Sequence, residues 1–105
     1  MPQGSRARAV EEVETDSGWR YRFAIGEAVE DAVVFELTVS WHDHEDIAGG
    51  GVPPSELAEA AALTLVDYWA GTAERGAPPA ARIDLSTARR LVPGFVDEVR
   101  SKLVR

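Results

Sequence analysis

Two stretches of strict alternation dominate this sequence. In the first, Trp19, Tyr21, Phe23 and Ile25 interleave with Arg20, Arg22 and Ala24. In the second, Val33, Phe35, Leu37, Val39 and Trp41 interleave with Val34, Glu36, Thr38 and Ser40. Successive side chains of an extended chain point to opposite sides, so a period of two with aromatic and β-branched residues on one parity specifies strands with one dry face. The odd-numbered residues from 19 to 41 are therefore expected to form a single apolar surface. Asp16-Ser17-Gly18 is turn chemistry, and a weaker alternation running to it from Arg8 completes a hairpin. Gly26 to Asp31 reads as a second, longer and acidic turn. The product is a three-stranded antiparallel meander, and a sheet of that size is stable only if its greasy side is covered.

The cover follows in the chain. Gly49-Gly50-Gly51 ends the strand region, and Pro54 suits the first position of a helix, where its missing N–H has no intrahelical partner to lose. From Ser55 to about Glu74 there is no proline. Leu57, Ala61, Leu65, Tyr68 and Thr72 recur at helical spacing, flanked by Ala58, Ala62, Val66 and Trp69. Gly76 reads as its C-cap and Pro78-Pro79 as a stop. Asp84 is placed to cap a short helix running to Val92, and Pro93-Gly94 interrupts it. Phe95, Val96, Val99 and Leu103 then continue at helical spacing, with Glu98 and Lys102 paired four apart. The expected fold class is α+β: the meander covered on one face by a long helix and one or two C-terminal helices. Residues 1–7 read as a flexible N-terminal arm and residues 8–105 as one domain, as the length of 105 residues requires.

Charge and composition remove several functions. Lys and Arg number 11 against 18 Asp and Glu, a net charge of -7 that repels a phosphate backbone, so no nucleic-acid partner is expected. No apolar run reaches the roughly 18 to 20 residues that span a bilayer, and the start resembles no secretory signal, so no membrane association and a cytoplasmic location are expected. The absence of cysteine excludes disulfides, thiol catalysis and cysteine-ligated metal sites.

The sharpest chemical candidate is Trp41-His42-Asp43-His44-Glu45-Asp46, which holds both histidines of the chain. If the third strand continued through it, His42 and His44 would point to one side, and with Asp46 they would offer three ligands to a divalent metal. The competing reading is a polar strand exit that meets water and discourages edge pairing. Gly49-Gly50-Gly51 lacks the Gly-Lys-Ser/Thr ending of a phosphate loop, so it reads as a connector. Ser40, close to His42 in sequence, is not read as a nucleophile. No catalytic residue and no resident cofactor are expected. The aromatic residues read mainly as core, with Trp41 and Trp69 the ones whose partial exposure would mark a partner surface.

From Phe35 to Phe95 the chain resembles a group of small, mostly bacterial hypothetical proteins. Their pattern is a strand, a Gly-rich loop, a Pro-Glu-Glu-Leu-type helix start, an aromatic-Asp-Leu-Ser stretch and a closing aromatic-Pro-x-aromatic. Here it is carried by Pro54-Ser55-Glu56-Leu57, Ile83-Asp84-Leu85-Ser86 and Val92-Pro93-Gly94-Phe95, with Ile83 and Val92 standing where the group has aromatics. The resemblance implies a fold and architectural roles for these residues, and no activity. The functional expectation is a small protein-interaction module, with a homodimer as one form it could take. Its alternatives are a metal or small-molecule site at His42 and His44, and an acidic antitoxin- or immunity-type partner of a basic protein.

Overall fold

The structure is a computed structural model and describes residues 7–25, 33–72 and 82–103. The described elements run β1 (Ala7–Thr15), β2 (Gly18–Ile25), β3 (Val33–Ser40), α1 (Trp41–Ile47), α2 (Pro54–Thr72), β4 (Arg82–Asp84), α3 (Leu85–Leu91) and α4 (Phe95–Leu103). One sheet of order β1-β2-β3-β4 backs the helices, so the fold is α+β. The expected arm over residues 1–7 lies outside the described residues except for Ala7, which opens β1 instead; the turn at 26–31, the Gly76 cap and the Pro78-Pro79 stop lie outside them altogether.

The alternation in sequence becomes register in space. Trp19 pairs with Val39, Tyr21 with Leu37 and Phe23 with Phe35 across the antiparallel β2–β3 ladder. Cross-strand pairs bring side chains of the same face together, and the Phe23 and Phe35 rings stack with centroids 5.7 Å apart. Tyr21, Phe23, Phe35, Leu37 and Val39 are buried, and Trp19 is partly so. Trp69 of α2 meets Phe35 edge-on at 5.2 Å and is itself buried, so of the two tryptophans considered for exposure this one belongs to the core. Leu57, Ala58, Ala61, Ala62, Leu65 and Val66 of α2 are buried with it, and Phe95 and Val99 of α4 join the same cluster. Small alanines let this helix pack closely within the core.

The close approach of β3 explains Gly18. A Cβ at that position would strike the backbone carbonyl oxygen of Val39 and come within 2.7 Å of Ser40 Cα, so only glycine admits the neighbouring strand. Gly94 turns the chain between α3 and α4 at a φ of 68°, a conformation that favours glycine.

The face away from the helices is not apolar. Glu11, Arg22, Glu36 and Arg82 fall in one register row across all four strands. Arg22 lies 3.6 Å from Glu11 and 3.8 Å from Glu36, and Arg82 lies 3.3 Å from Glu36, a ladder of alternating charge on the side away from the helices. This row keeps that face wet.

Three expectations need correction. The sheet has a fourth strand: β4 runs parallel to β3, with Ile83 opposite Leu37. Parallel neighbours require a crossover, which α1 and α2 provide. The third strand stops at Ser40, so Trp41 leaves the dry face and opens a helix. Asp84 occupies the N-cap of α3, yet its side chain makes no capping hydrogen bond.

Candidate functional site

The segment with the richest chemistry in the sequence is α1, and its helical form follows from Ser40. Ser40 Oγ accepts the Asp43 N–H at 3.1 Å and donates to Asp43 Oδ2 at 3.0 Å, which satisfies an amide of the first turn and starts the helix. Seven residues are too few for a helix to stand alone in water. Contacts from the rest of the fold hold it.

Asp43 faces inward and is buried. Arg89 of α3 reaches it, donating from Nη1 to Asp43 Oδ1 at 2.9 Å and from Nη2 to Asp46 Oδ2 at 2.8 Å. Hydrogen bonds to Asp46 and then to Asp43 raise the guanidinium pKa further above its ordinary value, so it is charged throughout. At the other end Arg100 of α4 donates to the carbonyls of Ile47 at 3.1 Å and Asp46 at 3.0 Å. A cation there satisfies final-turn acceptors and meets the negative end of the helix dipole. Two guanidiniums, from α3 and α4, thus fasten both sides of α1.

The histidines separate. Positions two apart on a helix are rotated by about 200°, so the shared side that a strand would give them does not exist here. His44 turns inward: its Nε2 lies 2.6 Å from the Val52 carbonyl and its ring meets Trp19 edge-on at 5.4 Å. A carbonyl only accepts, so Nε2 carries the proton and is not available as a ligand. His42 is exposed on the outer side. Asp46 is engaged by Arg89. The set His42, His44 and Asp46 is therefore not assembled around one point, and among the described residues no three His, Asp or Glu gather where they could hold a metal ion. Ser40 is occupied by Asp43, so its hydroxyl is a cap.

What the arrangement leaves outward is Trp41, which is 50% exposed, together with His42 and Glu45. The Trp41 N–H donates to the Ser17 carbonyl at 2.9 Å, tying the start of α1 to the β1–β2 turn. Sequence reasoning assigned Trp41 to the sheet and missed Asp43, Arg89 and Arg100. The readable signal was Ser40-Trp41-His42-Asp43, a Ser-x-x-Asp start of the capping-box kind. Nothing local marks Arg89 or Arg100.

Elsewhere, Tyr21 donates to Glu12 Oε2 at 3.1 Å, and burial followed by this hydrogen bond drives the phenol pKa far above its ordinary value. Between α2 and α4 an open groove of about 730 Å³ is lined by Glu56, Glu59, Leu63 and Lys102 among others. Lys102 is already drawn to Glu98 at 3.6 Å. No helix among the described residues is long and apolar enough to cross a membrane. No protein-family model, curated protein or solved structure matches the chain.

Proposed function

We propose that this domain is a protein-interaction module whose contact surface is centred on Trp41. The observation that carries the reading is a half-exposed indole on a helix that five separate contacts hold in place: the Ser40 cap, Arg89, Arg100, the His44–Val52 bond and the Trp41–Ser17 bond. Isolated exposed apolar residues are ordinary. A tryptophan on a backbone fastened in this way differs, because a partner that covers it need not order the segment that presents it. Completing the burial of the indole removes on the order of 100 Å² of apolar surface, or about 2.5 kcal/mol.

A different protein fits this surface better than a second copy. The chain carries a net charge of -7, and β1, the sheet edge through which copies would pair, holds Glu11, Glu12 and Glu14 beside an irregularity between Ala9 and Glu11. Like charges and a bulge both oppose edge-to-edge pairing.

The test replaces Trp41 with a photo-crosslinking amino acid in the native host, with Glu59 on the exposed side of α2 as the control position. The expected result is a discrete protein adduct at position 41 and none at 59, with the purified chain monomeric by light scattering. Equal labelling at the two positions, or none at 41, refutes the reading.

A further inference from the structure

We infer that the Trp41 surface receives a cationic side chain, arginine before lysine, from a basic segment of its partner. This rests on the reading of Trp41 as the contact residue and adds the chemistry of what it meets.

Two exposed carboxylates, on different elements, lie near Trp41 along the backbone. Glu45 lies four residues on from Trp41 and is exposed on α1; residues at that spacing are neighbours on one helix face, about 5–6 Å apart at Cβ. The 2.9 Å backbone bond from the Trp41 N–H to the Ser17 carbonyl also brings the β1–β2 turn, where Asp16 is exposed, up to the start of α1.

Neither Glu45 nor Asp16 has an ion-pair partner among the described residues, whereas Asp43 and Asp46 on the same helix are both paired. The two guanidiniums that reach α1 are already committed, Arg89 to those aspartates and Arg100 to the carbonyls of Asp46 and Ile47. The outward side of α1 is thus left with Trp41, His42 and Glu45 exposed and with no lysine or arginine of its own.

That combination selects its occupant. A cation over an indole face is attracted by the ring quadrupole, and a carboxylate beside the ring adds charge and hydrogen-bond acceptors. Arginine suits it better than lysine, because the planar guanidinium is weakly hydrated, stacks flat on the ring and can still donate in its own plane to a carboxylate. A second copy of the chain would bring its own Asp16 and Glu45 toward the same groups, so the charges that recruit a basic segment also disfavour self-association.

The experiment titrates the full-length chain with a short arginine–glycine peptide, and in parallel with its citrulline and lysine counterparts. The readout is the Trp41 indole N–H resonance, assigned by its loss in Trp41→Phe. The arginine peptide should shift that resonance saturably, the lysine peptide more weakly and the citrulline peptide not at all. Glu45→Gln should weaken binding roughly threefold to tenfold, while Glu59→Gln on α2 leaves it unchanged. Absence of a saturable shift, or equal losses from the two glutamine variants, overturns the inference, the second because it reports general attraction to an acidic surface. If position 41 crosslinks a protein while the arginine peptide is silent, the contact surface stands and the cationic partner falls. Silence in both experiments removes both.

Discussion

Arg89→Met removes the guanidinium that ties α3 to α1 while keeping most of the aliphatic stem. Two charge-assisted hydrogen bonds disappear, to Asp43 at 2.9 Å and to Asp46 at 2.8 Å, and their costs are unequal. The Asp46 side chain is 51% exposed and rehydrates, so its share is below about 1 kcal/mol. The Asp43 side chain is 7% exposed and cannot rehydrate in place; breaking such a buried pair from one side costs about 3–5 kcal/mol. Two features reduce that figure here. Arg89 is itself 30% exposed, and Ser40 Oγ still donates to Asp43 Oδ2. We expect a net loss of about 2–3 kcal/mol, a large share of a typical domain's stability, and a fall in Tm of roughly 10 °C. Urea unfolding followed by circular dichroism measures it, with an unchanged m-value showing that the loss is one of stability. Adding Asp43→Asn to Arg89→Met should restore about 1 kcal/mol, because no uncompensated buried charge remains, whereas adding Asp46→Asn should restore nothing. A loss below about 0.5 kcal/mol, or equal rescue by the two asparagines, would falsify the account of how α1 is held.

Three further outcomes follow from the packing. Tyr21 keeps its proton to a higher pH when folded than when unfolded, so its contribution is intact below about pH 10; above that the unfolded chain ionises first and stability falls with rising pH, by up to about 1.4 kcal/mol per unit. Alkaline urea midpoints should show that decline and Tyr21→Phe should flatten it; equal slopes in the two proteins would exclude Tyr21 as the source. Gly18→Ala must displace β3 backbone at Val39 and Ser40, at a cost above about 2 kcal/mol, and a neutral result in thermal unfolding would mean that the strands separate freely there. Phe35→Ala empties a site between Phe23 and Trp69 and should cost about 3–5 kcal/mol, while Arg22→Gln in the half-exposed charge ladder should cost under about 1 kcal/mol; comparable values for the two would contradict the division into a dry and a wet face.

Much of the scaffold was legible because local chemistry and tertiary environment agree. The period of two over residues 19–25 and 33–39 specified both strands, and burial followed parity for Tyr21, Phe23, Phe35, Leu37 and Val39. Pro54 opened α2 as its missing N–H requires, and Glu98 and Lys102 formed their expected pair. Among the described side chains the alternation misled at its end. Trp41 has the right parity for the core, but Ser40 caps a helix, and one residue beyond the ladder the parity rule has no force.

The sequence alone determined the meander, the long covering helix and the kinked C-terminal pair, since each depends on a repeat long enough to accumulate a preference over several residues. Tertiary structure decided the rest. The three residues of β4 are too few to carry a pattern and exist as a strand because β3 offers an unpaired edge. The seven residues of α1 are helical because Arg89 and Arg100, about fifty positions away in the chain, supply charge and donors that no neighbour in sequence provides. Those same contacts divide the cluster Trp41 to Asp46 into residues that hold the fold, Asp43, His44 and Asp46, and residues left exposed, Trp41, His42 and Glu45. Charge pairing across such distances is a property of the folded arrangement, and it decided here which of the polar residues remained available.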